Sequence, residues 1–300
     1  MQTILVTGSN GLVGQKLIYE FNKISEVKLI ATSKSYNKIN ELSGFEFELL
    51  DITRKSELEY IVSKYQPDTI INTAAITQVD YCEQNKTECW QINVEAVKNL
   101  CEIANKFNTH LIQFSSDFVF DGIKGNYSEE DATNPVSFYG LSKQEAEKTI
   151  MEQSDKWTII RTILVYGVLE NMVRSNFVLW VIKNLSDNKK INIVNDQYRM
   201  PTLAEDIAIA CKEIALKGKE HIYHISGKEF MSIYEIACKI AVFFNLDKNL
   251  IIPVSSVQLN EKGKRPPKTG FELTKSYNEL FYRPRSFNEG LKLIKKQLEI

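Results

Sequence analysis

The stretch TILVTGSNGLVG (Thr3 to Gly14) decides how the rest of the chain is read. A short apolar, β-branched run is followed at once by Gly8, Gly11 and Gly14, and then by helix-period sequence from Gln15 to Phe21. This is the order strand, glycine loop, helix. Glycines let the backbone turn tightly and lie against a diphosphate, while the helix N-terminus offers free N–H groups and partial positive charge. Placed after a first strand, the loop favours a dinucleotide site over a plain structural turn.

A second strand, Val27 to Thr32, ends about twenty residues past the loop, where an NAD-selective site carries an acidic residue for the ribose 2′-hydroxyl. Here the chain reads Thr32, Ser33, Lys34, Ser35. Two kinds of donor, hydroxyl and ammonium, suit a 2′-phosphate, so NADPH is the expected cofactor and NADH is also admissible; the alternative is a solvated turn. Strand-like Phe45 to Leu50 runs into Asp51 and Ile52, placed to meet an adenine. A helix from Ser56 to Lys64 and a buried strand from Thr69 to Asn72 follow. The small residues beyond that strand, among them Ala74, Ala75 and Thr77, let backbone approach a cofactor. A helical tract from Glu88 to Phe107 leads to strand His110 to Phe114 and then to Ser115 and Ser116 at its carboxyl edge. Strands alternating with helices predict an α/β fold, a Rossmann-type doubly wound parallel sheet, which binds ligands at that edge.

Tyr139 and Lys143 fall four positions apart in YGLSK, on one face of a helix predicted over 140–154. An ammonium near a phenol favours the phenolate and lowers its pKa toward the range of an acid–base catalyst. The preceding loop, Tyr127 to Pro135, delivers Tyr139 to the cleft, and its acids read as solvated or capping. A strand from Trp157 to Val165 holds Arg161 as a candidate buried ion-pair partner. Beyond Tyr166 the rhythm changes. The helix carrying Phe177 and Trp180 reads first as core and second as a ligand-stacking surface. A strand at Ile191 to Val194, a helix at Leu203 to Leu216, a strand at His221 to Ile225 and a helix at Ser232 to Phe244 follow. The basic loop Lys262 to Gly270 resists regular structure; it is either solvated or a clamp for a diphosphate. The expected division is a cofactor domain over 1–165, with about 200–225 returning to it, and a smaller interleaved α/β substrate domain over 166–199 and 226–300.

With 37 basic and 38 acidic residues, the chain has no overall field calling for nucleic acid or an anionic membrane. No apolar run approaches the ~18 residues that span a bilayer, and the start has no leader pattern, so a cytoplasmic location is expected. Five cysteines without a CxxC spacing suit reduced, structural thiols, and no metal is expected. His221 and His224 point to opposite faces of a strand, a poor chelate.

Together, Gly8, Gly11, Gly14, Ser116, Tyr139 and Lys143 resemble an extended short-chain dehydrogenase/reductase. INTAAITQVDYCE (71–83), SSDFVFDG (115–122), NPVSFYGLSK (134–143), RTILVYG (161–167) and the late MPT and RPP segments resemble the dTDP-4-dehydrorhamnose reductase family along most of the chain. The resemblance implies that Tyr139 supplies a proton, that Lys143 binds the nicotinamide ribose and tunes Tyr139, and that Ser116 positions a substrate carbonyl. It implies reduction, by NAD(P)H, of the 4-keto group of a nucleotide-linked 6-deoxyhexose. The alternatives are another nucleotide-sugar 4-keto reductase or epimerase, or a non-catalytic regulatory subunit, since one branch resembling this family regulates a methionine adenosyltransferase. The candidate cofactor contacts are Gly8, Asn10, Gly11, Leu12, Val13, Gly14, Ser33, Lys34, Asp51, Ile52, Ala74, Ala75, Thr77 and Asn93, with Tyr139 and Lys143. Ser116 stands where the family often has threonine, with the hydroxyl kept, and three further places that depart from the family supply candidate substrate contacts. Phe118 replaces a tyrosine, Leu164 stands where the family has a tryptophan wall beside the sugar, and Arg265 opens an altered late motif. The partners expected are a nucleotide sugar and, compatibly, a second copy in a homodimer.

Overall fold

The N-terminal apolar run forms a strand in which Ile4, Leu5 and Val6 are all buried, so it requires cover on both faces. The computed structural model describes residues 1–171, 175–259 and 261–298. In it β1 (Gln2–Thr7) leads to α1 (Leu12–Phe21), β2 (Val27–Ser33), β3 (Glu46–Leu49), α2 (Lys55–Tyr65), β4 (Thr69–Asn72) and α3 (Ala96–Lys106). The chain continues through β5 (His110–Ser116), α4 (Phe138–Gln153), β6 (Trp157–Thr162), α5 (Ala204–Lys217) and β7 (His221–His224). These seven strands make one sheet in the order β7-β6-β5-β4-β1-β2-β3, every pair parallel. The chain is thus an α/β protein with a Rossmann-type sheet.

Alternate residues of β1 face opposite layers. Ile4 and Val6 pack with Leu17 and Phe21 of α1 and Ile207 and Ile214 of α5. Leu5 packs with Leu58 of α2, Leu100 of α3 and Ile150 of α4. Removing one such side chain, as in Phe21→Ala, typically costs about 3–5 kcal/mol. The strand order reverses at β1, which pairs with β2 through Leu5 and Ile30 and with β4 through Leu5 and Ile70. Connections leaving the two sides of this switch diverge and open a crevice at the carboxyl edge. A third core, including Tyr166, Val178, Ile193, Ile236 and Leu291, joins helices Phe177–Ser186, Ile233–Phe243 and Phe287–Gln297 to the parallel pair Ile191–Val194 and Ile251–Val254.

Several local expectations change. The tract from Glu88 to Phe107 is interrupted by a π-helical turn, Gln91–Glu95, whose extra residue turns Asn93 inward. The strand expected to reach Val165 ends at Thr162; Leu164 takes φ +38°, and Val165–Tyr166 pairs instead with Thr202–Leu203. The late basic loop ends in regular structure, with Thr269–Phe271 pairing parallel to Gly125–Tyr127. Glu129 is buried rather than solvated, and its Oε1 accepts the His224 backbone N–H at 2.9 Å. Asp131 does cap its loop, accepting the Ser128 N–H at 2.7 Å. His221 is exposed and His224 buried, as strand alternation requires. Among the described residues no helix is long and apolar enough to cross a membrane.

Candidate active site

Two elements meet at the carboxyl edge of the sheet. β5 ends in Ser116, whose Oγ accepts the Phe118 N–H at 3.2 Å and donates to Asp117 Oδ1 at 3.0 Å. α4 begins beside it, its first turn capped by Ser137 Oγ accepting the Gly140 N–H at 3.1 Å. A Cβ on Gly140 would lie 2.2 Å from the Phe118 carbonyl oxygen, so only glycine lets α4 approach the Ser116 loop this closely. Tyr139 and Lys143, one helical turn apart, both face a cavity of about 460 Å³ that Ser116 also lines. The Phe118 ring stands edge-on to Tyr139 with centroids 5.6 Å apart.

The electrostatics correct one expectation. Lys143 Nζ donates to the Phe114 carbonyl at 2.6 Å, and burial raises the Tyr139 pKa, a hydrogen bond with Ser116 only partly opposing it. The phenol is therefore held protonated, the state a proton donor needs. Burial pushes the Lys143 ammonium down to about 8, with Glu147 opposing. Glu147 lies one further turn along α4 and accepts from Arg161 twice, from Nε at 3.0 Å and from Nη2 at 2.7 Å. This realises the ion pair expected for Arg161.

The first cavity adjoins two others. Toward β2, it shares Gly11, Thr73 and Ala75 with a cavity of about 420 Å³. Gly8, Asn10, Ser33, Lys34, Asp51, Ile52 and Ala74 line this second space, while Leu12, Val13, Gly14 and Thr77 line the first. Gly8 sits at φ +69°, and a Cβ there would meet the Ala74 nitrogen at 2.7 Å. No side chain caps the N-terminus of α1 and its first turn holds no acid, so its N–H groups remain available to an anion. Asp51 keeps a lowered pKa: burial opposes its ionisation, but hydrogen bonds from Thr53 and the Lys34 charge outweigh it. On the other side, Phe118 and Leu164 separate the first cavity from a third of about 380 Å³. Phe177 and Trp180, stacked with centroids 6.2 Å apart, face this third space, and Trp180 is 39% exposed, so the core reading fails for that ring. Arg265 reaches the same cavity with its charge matched by Asp80 at 2.9 Å and Glu261 at 3.2 Å.

Asn93 lines none of these spaces. Its Oδ1 accepts the Ile76 N–H at 2.9 Å and its Nδ2 donates to the Ile76 carbonyl and to Ser142 Oγ, both at 3.0 Å. It fastens the loop after β4 to α4 instead of facing a ligand. Cys82 and Cys89 lie Sγ to Sγ 2.9 Å apart in a small core with Tyr139, and four of the five thiols are buried. Residues absent from the sequence reading also converge here. The buried Asp117 carboxylate takes a hydrogen bond from Thr269 at 2.5 Å and an ion pair with Arg199 at 3.4 Å. The Arg199 guanidinium caps the Phe118 ring and donates to the Pro266 carbonyl at 2.8 Å. Glu147 had a usable signal, the i+4 spacing from Lys143; Arg199 and Asp117, eighty-two positions apart, had none.

A Rossmann sheet with a glycine loop at its switch point, and serine, tyrosine and lysine gathered on one cavity, defines an extended short-chain dehydrogenase/reductase. Residues 1–300 match the family model described as the RmlD substrate binding domain. The chain belongs to that family, the dTDP-4-dehydrorhamnose reductase family. A dTDP-4-dehydrorhamnose reductase of Aggregatibacter actinomycetemcomitans is 32% identical over 311 residues, covering 100% of both chains. The methionine adenosyltransferase 2 subunit beta of Bos taurus is 32% identical over 257 residues, covering 84% of this chain and 75% of that one. Among solved structures, dTDP-4-dehydrorhamnose reductase from Bacillus anthracis in complex with NADP superposes with a TM-score of 0.88 at 28% identity, covering 99% of this chain and 100% of that chain.

Proposed function

We propose that this protein reduces the 4-keto group of a nucleotide-linked 6-deoxyhexose, as a dTDP-4-dehydrorhamnose reductase does, with NADPH preferred and NADH admissible. The observation that carries the reading is the convergence of Ser116, Tyr139 and Lys143 on a cavity that adjoins the glycine-loop cavity on one side and the Phe177/Trp180 cavity on the other. The glycine-loop cavity suits a dinucleotide and the Phe177/Trp180 cavity a nucleotide sugar. The residues fit a dinucleotide: the Gly8 cradle would be filled by any Cβ, and the uncapped α1 N-terminus faces it. The bound dihydronicotinamide supplies hydride. Ser116, turning its hydroxyl hydrogen from Asp117 Oδ1 to the substrate, would hold the carbonyl, and the protonated Tyr139 would give its proton to the developing alkoxide, so charge on oxygen is met by two donors in a partly closed site. Lys143, cationic below about pH 8, holds the nicotinamide ribose. Leu164 and Phe118 form the wall beside the sugar, where Leu164 replaces an aromatic face by an aliphatic one. We assign residues 1–165 with 200–225 to the cofactor and the remainder to the sugar nucleotide; the third apolar core supports this for the helices Phe177–Ser186, Ile233–Phe243 and Phe287–Gln297, whereas Phe271, Leu273, Leu280 and Tyr282 pack in the core that holds β1 and α1.

The likeness to a methionine adenosyltransferase subunit keeps a second reading in view, a non-catalytic NADP-binding subunit. Such a protein has no physical need for a buried, protonated tyrosine beside a serine and a lysine. NADPH absorbance followed with dTDP-4-keto-6-deoxy-L-mannose separates the two: oxidation at enzyme-like rates is expected, and tight cofactor binding without oxidation would refute the reductase.

A further inference from the structure

Asn10 lines the second cavity, yet its amide is turned away from it. Nδ2 donates to the Tyr36 carbonyl at 2.9 Å, to Ser35 Oγ at 3.2 Å and to the Ser35 carbonyl at 3.4 Å. Oδ1 accepts the Lys38 N–H at 3.0 Å. One side chain in the glycine loop thus fastens the chain from Ser35 to Lys38, which leaves the carboxyl end of β2. Residues 34–45 contain no helix or strand, so side-chain clamps set their path. Farther along, Glu170 Oε2 accepts the Asn40 N–H at 2.7 Å and Asn22 donates to the Ser43 carbonyl at 2.9 Å. Asn10 holds residues 35–38 from the glycine turn, and Asn171 Nδ2 donates to the Lys38 carbonyl at 2.9 Å from the other side.

The polarity of this contact matters as much as its strength. A hydroxyl that accepts from an amide keeps its own hydrogen free to donate. With Asn10 donating to Ser35 Oγ, the Ser35 hydrogen is left for an acceptor outside the loop, and the preceding residue, Lys34, lines the second cavity together with Ser33. A hydroxyl donor and an ammonium at the end of β2, the latter near enough to Asp51 to favour its ionised form, suit a doubly charged phosphate on the ribose 2′-oxygen, whereas a 2′-hydroxyl gains little from them.

We propose that Asn10 is a positioning residue for cofactor selectivity, orienting the Ser35 hydroxyl and the 34–38 loop toward a ribose 2′-phosphate. This rests on the preference for NADPH stated above and names the device that sets it. Aspartate at position 10 would reverse the device. It keeps the acceptor for the Lys38 N–H but presents oxygen to Ser35 Oγ, drawing the serine hydrogen inward and adding negative charge beside the phosphate.

The test is direct binding, by calorimetry with 2′,5′-ADP and 5′-AMP and by fluorescence with NADPH and NADH, on the full chain. Asn10→Ala is expected to weaken 2′,5′-ADP and NADPH by about tenfold or more, the scale of one hydrogen bond to a charged group, with AMP and NADH changed less than about threefold. Asn10→Asp is expected to lower the NADPH-to-NADH ratio further. Ser35→Ala combined with Asn10→Ala is expected to add little to either alone, because the two act as one unit. Equal losses for both cofactors in Asn10→Ala and Asn10→Asp, or additive losses in the double variant, would overturn the proposal. If Asn10→Ala does not fold, Asn10→Asp and Ser35→Ala decide it by the same ratio. A wild-type protein binding 2′,5′-ADP no tighter than AMP would overturn the NADPH preference as well, and sugar turnover would still judge the reductase reading.

Discussion

Replacing Gly140 by alanine tests whether the site depends on how closely α4 packs against the Ser116 loop. The added Cβ would stand 2.2 Å from the Phe118 carbonyl oxygen and 3.0 Å from Pro135 Cβ. Ordinary contact lies at about 3.3–4 Å, so α4 or the Phe118 segment must move by roughly 1 Å. Both hold groups proposed to be catalytic: Tyr139 precedes Gly140 on the helix, and Ser116 is two residues before Phe118. Two stability effects oppose each other. Overpacking costs about 1–3 kcal/mol, and alanine in place of a helical glycine returns about 1 kcal/mol. The net loss of about 0–2 kcal/mol corresponds to a fall in Tm of a few degrees. Activity responds more steeply, because a displacement of about 1 Å between reacting groups costs about a hundredfold. Steady-state NADPH oxidation with the 4-keto sugar nucleotide, alongside thermal unfolding, reads both. A variant that melts within a few degrees of wild type yet keeps kcat/KM within about fivefold would refute the argument that this approach sets the catalytic geometry.

Tyr139→Phe is expected to lower kcat by about 10²–10⁴ with little change in cofactor affinity, which single-turnover kinetics and NADPH titration check separately. Cofactor affinity is expected to fall as pH rises through about 8, where Lys143 loses its charge, while Tyr139 stays protonated because burial raises its pKa. Stability responds in the opposite sense. The folded pKa of Lys143, about 8, lies below its ordinary 10.5, so between these values the unfolded chain binds more protons and Lys143 makes the fold more stable as pH rises. Binding and urea-unfolding profiles that move together across this window would contradict the assignment. Glu147→Gln leaves the Arg161 charge buried beside His224 without its carboxylate, and a loss of about 3–5 kcal/mol in urea unfolding is expected.

The N-terminal half was legible because its signals are local. Period-two and period-3.6 patterns, glycine spacing and the four-residue separation of Tyr139 and Lys143 report on neighbours a few residues apart, and β1, α1, β2 and α4 arise where those patterns lie. Boundaries moved where a single dihedral intervened, as at Leu164, or where an extra residue entered a helix, as in the π-turn holding Asn93.

By itself, then, the chain determined a strand–glycine-loop–helix opening, a parallel doubly wound sheet, and a serine, tyrosine and lysine in the order a reductase requires. Only the tertiary structure decided the rest. It placed Asp117 against Arg199, turned Trp180 from core to cavity wall, spent the charge of Arg265 on Asp80 and Glu261, and turned Asn10 onto its neighbouring loop. It also raised the Tyr139 pKa, where proximity of a lysine along the helix had suggested the reverse. The reason is physical: hydrogen-bond polarity, ion pairing and desolvation depend on which distant segments exclude water from a group, and no spacing along the chain carries that information.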